Sequence, residues 1–252
     1  MSQDISSAPR VSRSPARSSA EARQAKDRRF YLAMAFVSAL LVFLGFARSY
    51  YLKSYFATPP LRPLLHIHGI LFSAWMIFFV AQTALIASNR PDIHRRLGYA
   101  GAFLAVAMFI LGLLAAFSAE RLGHGNALTN AETVFLISLI DIFTFAAFVT
   151  LGFLGRRNRE AHQRLMLLAV VAGLLTAAIP RLPFVGRRPA AMVTVSLAFL
   201  FAGPAYDLIT RRRIHLVYVW GCLFALLTCV PVRIALAATP QWRRIAQWLI
   251  GS

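Results

Sequence analysis

Long apolar runs recur along most of the chain and are separated by short polar segments. Seven of these runs are long enough, or nearly so, to cross about 30 Å of hydrocarbon as helices, which takes about 20 residues each. They cover residues 30–52, 64–87, 97–118, 133–154, 165–180, 190–210 and 214–237. The fifth run is short because Pro180 and Pro183 end it early. The pattern predicts an all-α polytopic transmembrane helical bundle of about seven spans.

Two segments of different character flank the bundle. Residues 1–27 are rich in Ser, Arg and Ala and lack the apolar content that offsets the entropy of ordering, so we expect a disordered basic tail. At the other end, four apolar side chains recur at helical spacing opposite Arg243 and Arg244, namely Trp242, Ile245, Trp248 and Leu249. The sequence therefore divides into a tail at 1–27, a transmembrane domain at 28–237 and an amphipathic interfacial segment at 238–252.

The composition supports a lipid environment. Of 252 residues, 58% are hydrophobic and only 14% are charged, which is too few charged residues to solvate the surface of a soluble domain. The net charge is +18, but the basic residues lie in short segments between apolar runs, and no basic stripe with interleaved aromatic residues appears. We therefore expect the bilayer and its anionic lipids as partners, and no nucleic acid.

The distribution of Lys and Arg predicts an orientation. With the N-terminus inside, seventeen of the 27 basic residues fall on the inner side and ten on the outer side. Basic residues are enriched in cytoplasmic segments, so the N-terminus is expected in the cytoplasm. The excess comes from the tail, because the connections alone carry equal numbers on the two sides.

Three histidines occupy equivalent places on the inner side. His94, His162 and His215 each open the inner end of an odd-numbered span, as in a degenerate hairpin repeat. A helix N-terminus disfavours the charged imidazole, and the neutral imidazole is a metal ligand. Together with Asp207 and Gln82, these residues predict a site for Zn²⁺ or Fe. The alternative is that each histidine bonds headgroups or loop carbonyls at the membrane edge.

A second histidine cluster lies on the outer side, where span 2 begins with His66 and His68, followed by Gly69. Glycine beside a histidine lets a flat macrocycle approach the backbone, which suits an axial haem ligand. The one further histidine on this side is His124, in a loop. Three arginines on the same side are candidates to pair with haem propionates or an anionic headgroup: Arg62, Arg181 and Arg233.

Asp141 falls near the middle of the fourth run, where a charge costs about 2.5 kcal/mol or more. An intramembrane carboxyl is by default a functional residue, so we predict a proton relay or a ligand contact at Asp141, with Gln82 as a second such residue. Candidate partners of Asp141 are His68, Arg233 and Thr144. The alternative is a hydrogen-bonded clamp between helices.

Several motifs occur together as a set: His66-x-His68-Gly69, His94-Arg-Arg-Leu-Gly98, His162-x-Arg164-Leu-Met166 and His215-x-x-Tyr218-x-Trp220-Gly221. The set resembles an uncharacterised family of bacterial multi-pass membrane proteins over nearly the whole chain after residue 27. This resemblance implies a bacterial cytoplasmic (inner) membrane location. The His-Arg-Arg-Leu-Gly element alone resembles one in cytochrome b561-like haem membrane proteins, which implies haem b, although this chain lacks the paired mid-helix histidines of a bis-His bundle.

Three function classes remain open from the sequence. The first is a His-ligated haem or metal redox component, indicated by the repeated histidines. The second is a proton-coupled transporter or exporter of a small or lipidic solute, indicated by the repeat, Asp141 and the proline-interrupted spans. The third is a structural or assembly subunit that binds another membrane subunit. A metal-dependent lipid hydrolase would use the same inner histidines, but the sequence marks no nucleophile or general base.

Overall fold

The protein is described here by a computed structural model that covers residues 15–123, 130–185 and 188–250. Over this part of the chain every regular element is helical. Seven segments are long and apolar enough to cross a membrane, and we call them spans 1 to 7: Ala20–Tyr51, Pro63–Ala87, Pro91–Arg121, Ala131–Leu154, Arg159–Arg181, Pro189–Arg211 and Leu216–Ala237. The predicted all-α transmembrane bundle is confirmed.

Four spans are single α-helices with the bounds just given, namely spans 2, 3, 4 and 6. Span 1 belongs to an α-helix at Pro15–Phe46 that runs into a π-helical turn at Ala47–Tyr51, with a 3₁₀ turn at Lys53–Phe56 after it. The other two spans are broken. Span 5 consists of Arg159–Gly173, Leu175–Ala178 and a 3₁₀ turn at Ile179–Arg181, and span 7 consists of Leu216–Leu227 and Val230–Ala237.

The spans begin where local chemistry favours a helix start. Spans 2, 3 and 6 have proline in the first helical turn, where no backbone N–H is needed. The Asn130 and Asn158 side chains cap spans 4 and 5 by accepting a backbone N–H. Spans 3 and 5 therefore start at Pro91 and Arg159, ahead of the apolar runs that begin at residues 97 and 165, because their polar first turns are also helical.

The N-terminal tail differs from the prediction in the part that the structure describes. Residues 15–27 are helical and continue into span 1, whereas disorder was predicted for residues 1–27. Asp27 explains part of this order, because its side chain is buried and pairs with Arg211 at the end of span 6. Residues 1–14 lie outside the described residues.

The two faces of the bundle are defined by contacts between chain segments distant in sequence. Arg28, near the start of span 1, bonds Asn89 in the connection between spans 2 and 3, and Asp27 bonds Arg211. We call this side, which also carries residues 155–158 and 212–215, the N-terminal face. The opposite side, with residues 52–62 and 182–185, is the C-terminal face.

Span 5 lies at the centre of the bundle. Ala169, Val170 and Leu175 are fully buried, and the span is the most buried of the seven. Span 4 packs very closely against span 5 where the helix of span 5 is broken. A Cβ added to Gly173 at this break would lie 2.8 Å from Phe145 Cβ of span 4. A glycine is needed there because any side chain would push spans 4 and 5 apart.

A helix at Pro240–Ile250 follows span 7 and packs on the C-terminal face. Trp242 and Ala246 are buried, and Trp242 Nε1 donates to the carbonyl of Glu132 at 3.0 Å. Trp248 is 80% exposed. The segment is thus a helix with one side on the protein and one side free, while its location in the membrane interface stays a prediction.

Candidate functional site

The four residues predicted to bind one metal separate into two pairs. The rings of His94 and His162 lie close together, with centroids 6.1 Å apart. Asp207 and His215 form a different pair, in which the backbone N–H of His215 donates to Asp207 Oδ2 at 3.3 Å. Among the described residues, no group of three or more His, Cys, Asp or Glu side chains is arranged to hold a metal ion. The described residues therefore do not form the predicted four-residue site.

The histidine pair has ring nitrogens that the protein does not use. His162 Nδ1 donates to the carbonyl of Gly152 at 2.8 Å. Because a carbonyl only accepts, this bond places the proton on Nδ1 and leaves Nε2 as the free lone pair of the neutral ring. His94 Nδ1 is buried and has no hydrogen-bond partner among the described residues. Each ring therefore has a nitrogen available to a ligand.

The spacing of the two rings suits a shared ion. A metal–imidazole bond of about 2 Å places the ring centroid about 3 Å from the metal, so two rings on one ion have centroids about 5 Å apart at a tetrahedral angle and about 6 Å apart when the two nitrogens lie on opposite sides of the ion. The observed separation of 6.1 Å corresponds to the second arrangement. The His94 ring lies within hydrogen-bonding reach of the backbone carbonyl of Gln82. The side chain of Gln82 has a buried Oε1 without a partner in the described part of the chain.

Gln82 belongs to a polar stripe on span 2. His68, Trp75 and Gln82 follow one another at intervals of seven residues, which places them on one face of the helix at about 10 Å intervals. Each carries a buried nitrogen or oxygen without a partner among the residues that the structure covers: His68 Nδ1, Trp75 Nε1 and Gln82 Oε1. An unbonded buried polar atom is costly, so the stripe favours a ligand or water along this face.

Asp207, by contrast, lies in a closed ionic network at the N-terminal face. It is fully buried, and Arg164 of span 5, also fully buried, binds it with two hydrogen bonds of 2.9 and 2.7 Å. Arg211 adds a third contact at 3.2 Å. With these bonds and the His215 backbone N–H, the Asp207 carboxylate has four donors, so it is not free to ligate a metal.

Further residues complete the network. Arg211 also binds Asp27 at 2.7 Å, and the Tyr206 hydroxyl donates to Asp27 at 2.9 Å. Arg164 Nη1 donates to the carbonyl of Glu160 at 2.6 Å. Spans 1, 5 and 6 are thus joined by alternating charges. Sequence reasoning missed this network, although Arg164 within the motif that follows His162 was a signal, because charges at the edge of an apolar run are also typical of membrane interfaces.

His215 has a structural task in this arrangement. Its Nδ1 accepts the backbone N–H of Val217 at 3.2 Å, so the side chain caps the first helix of span 7. Partial burial lowers the pKa of His215, and the positive charge of Arg164 lowers it further. A neutral ring is required for the cap, because only the unprotonated nitrogen accepts.

The predicted haem site on the C-terminal face does not fit the observed contacts. The ring of Tyr50 fills the space at Gly69, where an added Cβ would lie 2.4 Å from Tyr50 Cε2. Tyr50 also donates to the carbonyl of His66, whose side chain is exposed. A macrocycle therefore has no approach to the backbone at Gly69. His68 belongs instead to the polar stripe of span 2. His124 lies outside the described residues.

Two of the three arginines expected at the same site, Arg181 and Arg233, have other partners. Arg181 lies over the ring of Phe46, with Cζ 4.9 Å from the ring centroid, and donates to the carbonyl of Ala177. Arg233 is buried and pairs with Asp141. Neither side chain is free to pair with a haem propionate.

Asp141 meets Arg233, one of its three expected partners, inside the bundle. Arg233 Nη1 lies 2.5 Å from Asp141 Oδ1 and 3.4 Å from the carbonyl of Ile137. Its Nε donates to the carbonyl of Thr228, which the break in span 7 leaves without a helical partner. Thr176, just after the break in span 5, lies near Asp141. A buried ion pair thus lies where two broken spans meet span 4.

Comparisons with protein-family models, with curated proteins and with solved structures found no match to this chain.

Proposed function

We propose that the protein is a membrane redox component that binds a transition-metal ion through His94 and His162. The observation that carries this proposal is the approach of the two imidazole rings to 6.1 Å, with His94 Nδ1 buried and without a partner among the described residues. Gln82 Oε1 is the expected third donor. Imidazole is a suitable ligand for Zn, Cu, Fe and Ni. The proposed redox role requires a metal that changes its oxidation state, which makes Cu or Fe the expected ion.

The surroundings support a ligand site rather than a pair of surface histidines. The bond from His162 to Gly152 is the type of outer contact that orients a ligating imidazole. His94 and His162 begin two successive odd-numbered spans, so the close packing of spans 2 to 5 holds the rings. Coordination positions beyond the three protein donors are left for water or a reactant.

The test is to purify the full chain in a mild detergent and measure its Cu, Fe, Ni and Zn content together with its absorption spectrum. We expect about one metal ion per chain, as a two-histidine site predicts, and loss of that metal in His94→Ala and His162→Ala. His66→Ala is the matched control, because it removes an exposed imidazole of the same chain. Absence of stoichiometric metal after incubation with each ion would overturn the proposal, as would retention of metal in both variants.

A second candidate function is proton-coupled transport of a small or lipidic solute, and one observation favours it. The Asp141–Arg233 pair lies at the breaks in spans 5 and 7, and broken helices around a charged residue near the membrane centre are typical of transporter sites. Protonation of Asp141 would release Arg233, which gives a way to couple a proton to a change in span 7.

Transport is tested with Asp141→Asn, which keeps the shape of the side chain and removes its titration. In proteoliposomes with an imposed pH gradient, we expect proton uptake by the wild type and loss of uptake in the variant. Asp92→Asn, at an exposed carboxyl of the N-terminal face, is the control. Equal uptake by wild type, variant and empty liposomes would remove this candidate.

We further propose a bacterial cytoplasmic membrane location with the N-terminal face in the cytoplasm. Support comes from the excess of basic residues on that face, which is due to the N-terminal tail. The basic residues beside the spans also make anionic lipids the expected partners. Reporter fusions at residue 252 and in the connection at 155–158 test this orientation. We expect an external reporter signal from the first and a cytoplasmic signal from the second, and the reverse pattern would contradict it.

A further inference from the structure

A groove runs along the outside of span 3 at the C-terminal face. Its volume is about 600 Å³, within the range of small-molecule sites. The lining residues come from span 3 and from the segments that flank spans 2 and 3: Arg62, Ile110, Leu113, Leu114, Phe117, Ser118, Arg121 and Leu122. None of these residues belongs to the histidine pair or to the ionic network, so the groove is a separate feature.

The wall of the groove is apolar and has the length of one membrane leaflet. Ile110, Leu113, Leu114 and Phe117 recur at the spacing of one helix face, and Ile110 and Leu114 are about half exposed. From Ile110 to Arg121 the helix rises about 16 Å, close to half of the ~30 Å hydrocarbon thickness. An acyl chain of a single leaflet can therefore lie along the whole wall.

Two arginines lie at the polar end of this wall. Arg62 and Arg121 both line the groove, both are exposed, and neither forms an ion pair or a side-chain hydrogen bond with another residue that the structure describes. Glu120, next in sequence, interacts electrostatically with Glu132 of span 4 and does not line the groove. Arg243 on the same face has Glu132 as a partner at 3.7 Å. The groove thus has two positive charges that no described residue of the protein neutralises.

We propose that this groove binds one anionic phospholipid, with an acyl chain along span 3 and the phosphate between Arg62 and Arg121. The guanidinium group matches a phosphate with paired hydrogen bonds, and the two arginines come from different elements, so one headgroup would join the start of span 2 to the end of span 3. This inference goes beyond the proposed metal-binding function and does not depend on it.

The experiment is native mass spectrometry of the purified full chain in detergent with phosphatidylglycerol or phosphatidylcholine added. We expect one phosphatidylglycerol retained preferentially. A surface arginine contributes about 1 kcal/mol of attraction, or roughly fivefold in affinity, so Arg62→Gln with Arg121→Gln should lower phosphatidylglycerol affinity by about 25-fold. Arg243→Gln with Arg244→Gln removes the same charge from the same face and should leave the preference unchanged.

A wall variant tests the acyl-chain half of the proposal. Leu114→Trp fills the groove at an exposed position and should weaken phosphatidylglycerol binding, whereas Ile77→Trp at the exposed surface of span 2 should not. Thermal unfolding of each variant shows that it is folded. Equal lipid retention in the Arg62/Arg121 variant and its arginine control would overturn the proposal, as would full retention in Leu114→Trp or displacement of the lipid by inorganic phosphate alone.

Discussion

The closed ionic network and the histidine pair lie at the same face of the bundle, yet they use their polar atoms in opposite ways. In the network, the Asp207 carboxylate accepts from Arg164, Arg211 and the His215 backbone, and Arg211 in turn binds Asp27. In the pair, His94 Nδ1 and the neighbouring Gln82 Oε1 are buried without a partner among the described residues. One group of polar side chains is saturated and the other is not.

This difference distinguishes residues that stabilise the fold from residues that bind a ligand. A saturated buried network fixes helices relative to one another, and removing one member leaves an uncompensated charge. An unsaturated buried group carries a free-energy penalty until a ligand meets it. We therefore expect network variants to change stability, and histidine variants to change ligand affinity while stability changes little.

The largest expected effect is on stability, from Asp207→Ala. Because this change leaves Arg164 buried without its counter-ion, we expect the free energy of unfolding to fall by about 3–5 kcal/mol. Unfolding of the purified protein in detergent, followed by circular dichroism, measures it.

Asp92→Asn is the matched control, since Asp92 pairs with Arg90 at 3.8 Å on the exposed surface. Such a pair contributes about 0–1 kcal/mol. If Asp207→Ala and Asp92→Asn destabilise the protein equally, the network does not hold the spans together.

The next effect is on metal affinity, from His162→Ala. Loss of residues that merely orient metal ligands weakens binding by about 10–100-fold, so loss of a ligand should reach about 100-fold, or roughly 2.7 kcal/mol. Titration of metal into the stripped protein measures the affinity, and unfolding measures stability. A large fall in the free energy of unfolding with unchanged metal affinity would show that His162 stabilises the fold and does not bind the metal.

Asp141→Asn should have an intermediate effect on stability. Asparagine still accepts a hydrogen bond from Arg233, which also keeps the carbonyls of Thr228 and Ile137, but it no longer balances the charge. We expect a loss of about 1.5–3 kcal/mol in the free energy of unfolding, the range for a hydrogen bond to a charged group. Arg233→Met in the same background should restore part of this loss, and a further loss would show that Arg233 is held mainly by the carbonyls.

The smallest effect concerns pH and His215. The pKa of His215 is lower in the folded protein than in the unfolded chain, so the unfolded chain binds a proton first as pH falls. The stability from the neutral cap is thus present above about pH 6.5 and is lost as pH falls through the lower folded value.

His215→Asn tests this prediction, because asparagine caps helices well but does not titrate. We expect the difference in unfolding free energy between variant and wild type to change between pH 7.5 and 5, with the variant gaining relative stability in acid. A difference independent of pH would contradict the role of the neutral ring.

Much of the fold follows from the sequence because the bilayer constrains it. Helices are the spanning elements of such chains, so run length and proline positions predict seven spans, and Pro180 predicts the irregular end of span 5. The helix over residues 15–27 was not predictable from composition, since it depends on the distant contact between Asp27 and Arg211.

The candidate site was predictable only in part. The repeated position of His94 and His162 at helix starts indicates a common depth, and the structure brings these two rings together. His215 occupies the equivalent place in span 7, but periodicity along the chain does not specify which spans are neighbours. Arg164 binds Asp207 because spans 5 and 6 pack against each other at that point. Which spans are neighbours cannot be read from a single sequence, so this pair was not predictable.

We propose above all that His94 and His162 bind one metal ion together. X-ray absorption spectroscopy of the metal-loaded protein tests it by counting imidazole ligands. We predict two imidazole nitrogens at about 2 Å from the metal in the wild type. His94→Ala and His162→Ala lose the metal on purification, and each should show one imidazole nitrogen when it is reloaded with excess metal. A metal with no imidazole shell, or with the same shell in the wild type and in both variants, would contradict the claim.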